Sequence, residues 1–201
     1  MTMTKKEIRA EIRQKRRALS EQDWRDKSHR ICESIRSQAV YQQADVIYAY
    51  LAKKGEVLLD ELIQDAWSQG KLVAVPKVMG AEMEFFRLKE LTEVEIGCMG
   101  IREPLSREPL SQERLAEGSA ESKKALMLLP AVAVDEQCHR VGYGGGYYDK
   151  YLEKHPHMTK VAVVFAFQMY PQVPTELLDV PLDGIVTEES SLWQQEPGQN
   201  V

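Results

Sequence analysis

Residues 125–134 read ALMLLPAVAV, a run without a charged side chain. It is far shorter than the roughly 18–20 apolar residues of a membrane span. It is also too evenly apolar for a strand with one wet face. The run therefore predicts a strand covered on both faces, in the middle of a parallel sheet. Other segments agree. DVIYAYLA (45–52), KLVAVP (71–76), EMEFFRL (82–88), KVAVVFAF (160–167) and GIVT (184–187) read as strands. VLLDELIQDAWSQG (57–70) reads as a helix whose stripe is Leu58, Leu59, Leu62, Ile63 and Ala66, with Gly70 as its stop. Strands alternating with helices imply an α/β fold: an open, mainly parallel sheet with helices on both faces. A helical N-terminal segment precedes it. Ile8, Ile12 and Leu19 share one side of a helix, and Ser20 caps a second that runs to about Ser37. A length of 201 residues suits one domain over 1–201, with 1–37 as a helical arm. Residues 102–122 contain a tandem pentapeptide, Arg102–Ser106 then Arg107–Ser111, too short for a repeat architecture. This stretch is expected to be a surface loop or short helix, mobile and without a catalytic role.

Charge is uneven along the chain. Residues 1–30 hold ten Lys/Arg against five Asp/Glu, while the whole chain nets −5, so the remainder carries −10. A basic arm on an acidic body repels a long polyanion, and no nucleic acid partner is expected; a small anion held between arm and body fits better. No aromatic side chain interleaves the basic residues before Trp24, which counts against an RNA-binding module. The start lacks an apolar signal region, and Glu7 and Glu11 argue against a transit peptide. No membrane association is expected. Cys32, Cys98 and Cys138 are too far apart for a disulfide framework or zinc site and read as free thiols in a reducing cytoplasm. His155 and His157 read as an exposed helix end rather than a metal site.

Directly after the apolar run comes RVGYGGGYYD, residues 140–149. Gly142, Gly144, Gly145 and Gly146 crowd into five positions, where one or two glycines would serve a tight turn. Strand, glycine loop and helix in this order leave backbone N–H groups free at a positive helix end, an anion site usually filled by phosphate. Arg140 can add a bidentate contact. The pattern GxxxxGK followed by Ser or Thr is absent, and GxGxxG fails because Tyr147 stands where its last glycine belongs. Asp149 beside a bound phosphate would be repelled unless a cation lay between them, and Mg²⁺ takes one or two carboxylates with phosphate oxygens and waters. Asp183, before the GIVT strand, is a second candidate. Nearby tyrosines can stack on a flat ligand.

These residues resemble the 5-formyltetrahydrofolate cyclo-ligase family, also called 5,10-methenyltetrahydrofolate synthetases. The segment LLPAVAVDEQCHRVGYGGGYYDKYL is similar to its pattern P-x-x-x-x-D-x-x-G-x-R-L-G-x-G-x-G-Y-Y-D. Lys5 to Arg9, Leu51 with Glu56, VPKV at 75–78, Met83 with Phe85, GIREP at 100–104, and Asp183 to Glu188 agree in order. Three positions depart: Cys138 stands where the family usually has Gly, Val141 where it has Leu, and Leu59 where it has Thr. The resemblance implies an ATP- and Mg²⁺-dependent ligase. It would convert 5-formyltetrahydrofolate to 5,10-methenyltetrahydrofolate with release of ADP and phosphate, through a phosphorylated formyl group. By resemblance ATP binds Lys5, Lys6, Glu7, Ile8 and Arg9, and the run Arg140, Val141, Gly142, Tyr143, Gly144, Gly145, Gly146, Tyr147 and Tyr148. Lys5, Arg140 and Tyr148 are the catalytic candidates. Folate is expected at Leu51, Glu56, Met83, Phe85 and Tyr143 to Tyr147, and the metal at Asp149 and Asp183. No obligate protein partner is expected. A non-catalytic nucleotide or folate binder of the same fold is the alternative.

Overall fold

The computed structural model describes residues 3–97, 100–106, 109–110 and 124–194. The chain opens with α1 (Lys5–Ala18), α2 (Glu21–Ser37) and a short α3 (Ala39–Gln43). Thr4 caps α1 in a reciprocal capping box with Glu7, and Ser20 caps α2 through the N–H of Asp23. Strands and helices then alternate: β1 (Val46–Tyr48), α4 (Asp60–Ser68), β2 (Leu72–Met79), β3 (Glu82–Arg87), β4 (Val94–Ile96), β5 (Arg102–Pro104) and β6 (Ala125–Pro130). They are followed by β7 (Ala133–Asp135), β8 (Arg140–Val141), α5 (Tyr147–Lys154), β9 (Thr159–Val163), β10 (Met169–Tyr170), β11 (Gly184–Val186) and β12 (Ser191–Trp193).

The main sheet has seven strands in the order β12-β11-β9-β6-β1-β2-β3. All five central strands run parallel, and antiparallel β3 and β12 close the two edges. Both faces are covered, as the uniform hydropathy of 125–130 requires. On one face Ile31, Cys32 and Ile35 of α2 and Leu62, Ile63 and Ala66 of α4 pack against Ile47, Val73, Leu126 and Val161. On the other, Tyr151 and Leu152 of α5 join Val134 and Cys138 against Met127, Leu129 and Ala162. The helical segment before the sheet is thus built into the core rather than set apart from it. No described helix is long and apolar enough to cross a membrane.

The run 125–134 is not one strand. β6 keeps register with β9 from Leu126↔Thr159 to Pro130↔Val163, and the chain then leaves the sheet. β7 belongs to a separate small sheet, β10-β7-β8. The buried Gln168 holds the bend: its Nε2 donates to the carbonyls of Ala131 (2.8 Å) and Val132 (2.9 Å). Hydropathy could not reveal this, because both halves of the run are buried. Likewise the 160–167 strand ends at Val163, ahead of the 3-10 turn Ala166–Gln168, and the 57–70 helix begins only at Asp60. The loop expected over 102–122 begins instead with strand β5, whose Arg102 forks onto Asp60 at 2.9 and 3.2 Å. Residues 107–108 and 111–122 lie outside the described residues.

Two departures from the family pattern acquire physical meaning. Leu59 is the N-cap of α4 and makes no side-chain cap bond, which forfeits about 1 kcal/mol relative to Thr. In return the side chain is fully buried. Cys138 sits in the β7–β8 turn at φ 62, the left-handed region where glycine belongs. Cys32 and Cys138 are buried free thiols, and Cys98 lies outside the described residues. Burial raises both thiols, Cys32 to about 12 and Cys138 to about 11, so neither is poised as a nucleophile.

Cys138→Gly removes the thiol and the backbone strain together, whereas Cys138→Ala removes only the thiol. The glycine variant is expected to be more stable than the alanine variant by about 1 kcal/mol, read from urea midpoints. Equal midpoints, or a more stable alanine variant, would mean that the positive φ carries no cost.

Candidate active site

α1 is the first positioning element. Ile8 and Ile12 bury against Val132, Ala133, Val141 and Val173, which seats the helix on the small sheet. The helix then turns Arg9 and Arg16, seven positions apart, toward the glycine loop. Arg9 Nε donates to the carbonyl of Gly142 at 2.9 Å. A Cβ on Gly144 would lie 3.6 Å from the Arg9 guanidinium carbon. Residues 141–149 contain no Lys or Arg, so this helix supplies cations that the loop itself lacks.

Gly144 (φ +106) and Gly146 (φ +64) both need the left-handed region. The first backbone bond of α5 runs from Lys150 N to the carbonyl of Gly146 at 3.1 Å. Among the described residues, no N–H group from Gly142 to Asp149 donates to a protein acceptor. Those amides stand at the N-terminus of α5, where the peptide dipoles favour negative charge. Beneath them lies Arg140, nearly buried, whose Nη2 donates to Asp149 Oδ1 at 2.8 Å. A Cβ on Gly142 would come within 3.1 Å of its Nη1, and its Nε is buried without a hydrogen-bond partner. The loop therefore offers donors from the backbone above and cations from Arg9 and Arg140 beside it.

The carboxylates expected to share a metal are engaged separately. Asp149 Oδ1 takes Arg140, with the N–H of Val180 further off at 3.5 Å. Asp183, just before β11, takes the N–H of Lys160 at 2.6 Å and its ammonium at 2.9 Å. Each keeps its other oxygen clear among the described residues. No cluster of three or more His, Cys, Asp or Glu occurs among them, so no closed protein cage is present. One or two carboxylates completed by phosphate oxygens and waters is a magnesium donor set, and these residues fit it.

Of the remaining α1 residues, Lys5 is held by Asp179 at 2.8 Å and Glu176 at 3.0 Å. Burial pulls its ammonium down, but these hydrogen bonds outweigh burial and leave its pKa raised. Lys6 is exposed. Glu7 is spent in the capping box and Ile8 in the core, so their side chains are structural. His155 is half-buried and stacks on Tyr151 at 4.3 Å rather than standing exposed; His157 is exposed.

A second cluster joins the loop to the segment after β1. Glu56, only 7% exposed, accepts from Lys53 N at 2.8 Å and from the Tyr143 hydroxyl. Tyr143 is half exposed, yet burial of its hydroxyl and the charge of Glu56 push its pKa above the usual phenol range. It is thus a neutral donor at physiological pH. Tyr148 lies near Phe85, ring centroids 6.4 Å apart, and Arg140 sits 5.7 Å from the Tyr148 ring. Leu51, Met83 and Phe85 are buried core residues. Phe85 packs edge-on against Tyr48, so it backs the tyrosines instead of offering an open wall. Arg16 was missed as a site residue, although its spacing from Arg9 places both on one helix face.

Fold and site together define a doubly wound α/β protein with a glycine loop beside the carboxyl ends of its central strands, where such sheets take ligands. A model of the 5-formyltetrahydrofolate cyclo-ligase family matches residues 1–188, and the chain belongs to that family, a family of ligases. It is 28% identical to the mouse 5-formyltetrahydrofolate cyclo-ligase, over 92% of this chain and 94% of that protein. It is likewise 28% identical to the enzyme of that name from Escherichia coli K12, over 91% of this chain and 99% of the other. Among solved structures, the Aquifex aeolicus 5,10-methenyltetrahydrofolate synthetase superposes with a TM-score of 0.81 at 29% identity, covering 99% of this chain and 96% of that one. The Mycoplasma pneumoniae synthetase has a TM-score of 0.72 at 22% identity over 92% and 99% of the two chains, a likeness of fold.

Gly146 isolates the cost of loop geometry, because nothing lies within 4 Å of where its Cβ would be. Gly146→Ala is expected to lower stability by about 1 kcal/mol through its positive φ alone, measured by urea unfolding. An unchanged midpoint would show that the loop relaxes to negative φ without cost.

Proposed function

We propose that this chain catalyses ATP- and Mg²⁺-dependent closure of 5-formyltetrahydrofolate to 5,10-methenyltetrahydrofolate, with release of ADP and phosphate. One observation carries the reading: the unclaimed N–H groups of Gly142–Asp149, flanked by Arg9 and Arg140 and lacking any cation of their own. Backbone donors at a helix start suit the polyphosphate of ATP. Arg9 is held by a carbonyl of the loop itself and Arg140 by Asp149 within the site, whereas Lys5 must first give up Glu176 and Asp179. Lys6 is free to approach. The pterin is placed on the other side of Tyr143, toward Glu56.

In this reading the formyl oxygen attacks the γ-phosphorus, the bond from that phosphorus to the bridging oxygen breaks, and ADP leaves. N10 then attacks the activated formyl carbon, loses its proton, and the carbon–oxygen bond breaks to release phosphate. The demands on the protein are alignment and charge neutralisation more than proton transfer. Arg140 and the loop amides hold the phosphates while charge moves. The neutral Tyr143 hydroxyl and the Glu56 carboxylate orient polar edges of the folate. Asp149, with Asp183 as a second carboxylate, would hold magnesium, which would supply positive charge against the phosphates.

Methenyl absorbance that rises only when ATP, Mg²⁺ and 5-formyltetrahydrofolate are all present tests the activity. No rise would favour the non-catalytic binder. Asp149→Asn keeps an acceptor for Arg140 but loses the charge. It is expected to lower kcat by at least about 100-fold while thermal stability changes little. Full turnover at ordinary Mg²⁺ would remove Asp149 from the metal site. Gly144→Val, which forces a side chain toward Arg9 at positive φ, is expected to weaken ATP binding by about tenfold or more in calorimetric titration. Unchanged affinity would place the polyphosphate elsewhere.

A further inference from the structure

The guanidinium of Arg16 closes separate segments onto one another. Nη1 donates to the Tyr143 hydroxyl at 2.5 Å, and Nη2 donates to the carbonyl of Ala131, just past the end of β6, at 2.8 Å. The same Tyr143 hydroxyl donates onward to Glu56 Oε1. Glu56 is held in turn by Lys53 N at 2.8 Å on its other oxygen and by Trp24 Nε1 on its carbonyl at 2.5 Å. The neighbouring Gly55 adopts φ +85, and a Cβ there would fall 2.9 Å from Arg16 Cβ. The segment carrying Glu56 is therefore shaped around the stem of Arg16 as well as bonded through Tyr143.

We propose that Arg16 is a positioning residue that couples the two substrate sites. It holds Tyr143 in the one place where the hydroxyl can serve the glycine loop's conformation and the Glu56 carboxylate together. The proposal rests on the assignment of ATP and 5-formyltetrahydrofolate made above. A loop of four glycines with half-exposed Tyr143 has much freedom to lose, and the first ligand to order it bears that cost. Nucleotide bound on the loop fixes Tyr143, Tyr143 fixes Glu56, and folate then meets an ordered carboxylate. By linkage, folate tightens nucleotide by the same factor. Arg16 makes the link rigid because its planar fork fixes the directions of the bonds to Tyr143 and Ala131, which the freely rotating ammonium of a lysine does not.

The test is the affinity for 5-formyltetrahydrofolate with and without β,γ-imido-ATP, measured by calorimetry on the full chain. The wild type is expected to bind folate about tenfold tighter with the analogue present. Arg16→Met and Tyr143→Phe are each expected to bring that ratio to within about twofold of one, and the double variant to go no further. Arg16→Lys is expected to retain only part of the ratio. A purely structural role for Arg16 would weaken each ligand alone, leave the ratio intact, and add to the effect of Tyr143→Phe. Either that pattern or a wild-type ratio of one would overturn the coupling. Should Arg16→Met fail to fold, Tyr143→Phe decides the matter, since it keeps the ring and removes the shared hydroxyl. A wild type that turns over normally while showing no ratio defeats this inference alone; one that neither binds nor turns over the substrates defeats the functional assignment as well.

Discussion

The burial of Ile8 and Ile12 against β7 and β8 decides where the charges of the site stand. These two side chains fix α1 on the small sheet, and full burial of each is worth about 1.5–3 kcal/mol. The helix then has no freedom in which face it turns to the glycine loop. Arg9 and Arg16, seven residues and so just under two turns apart, reach Gly142 and Tyr143 from one side. An apolar contact thus supplies a polar loop with the cations its own sequence omits.

The loop depends on a second constraint, the departure of the chain from the main sheet after Pro130. Gln168 accepts from Phe165 N and donates to two consecutive carbonyls at the bend. A buried amide satisfied in this way stabilises a geometry that apolar packing alone would not choose, because leaving those carbonyls unpaired costs more than a typical hydrogen bond gains. The bend lets β7 and β8 fold back over the sheet. The loop then rises beside the carboxyl ends of the central strands, and the Ala131 carbonyl at the bend itself becomes a handle for Arg16.

Much of this was legible in order but not in detail. The glycine cluster raised the expectation of an anion site and Asp149 that of a cation beside it, while the strand–helix alternation announced the sheet. The sequence signal for α1 was its charge, which suggested several equivalent cations. Folding sorts them: Arg9 and Arg16 face the loop, Lys5 is tied to Glu176 and Asp179, and Glu7 closes its own helix cap. Asp149 and Asp183 looked alike in sequence, yet one is partnered by a buried arginine and the other by Lys160, the second residue of β9. Cys138 and Leu59, which read only as departures from a pattern, mark a left-handed turn and an uncapped helix start. Such roles depend on φ or on partners distant in sequence, and neither leaves a local signature.

By itself the sequence determined the α/β class, the strand that must be buried on both faces, and the place where backbone donors would stand unclaimed. These follow from local hydropathy and from glycine's lack of a side chain, which neighbouring residues suffice to reveal. Only the tertiary structure decided that Arg16, Tyr143 and Glu56 form one connected group, for they are separated by 127 and 87 positions in the chain. Contacts of that span arise from how whole elements pack. Their partners are chosen by the geometry of the assembled core rather than by any preference of the residues themselves.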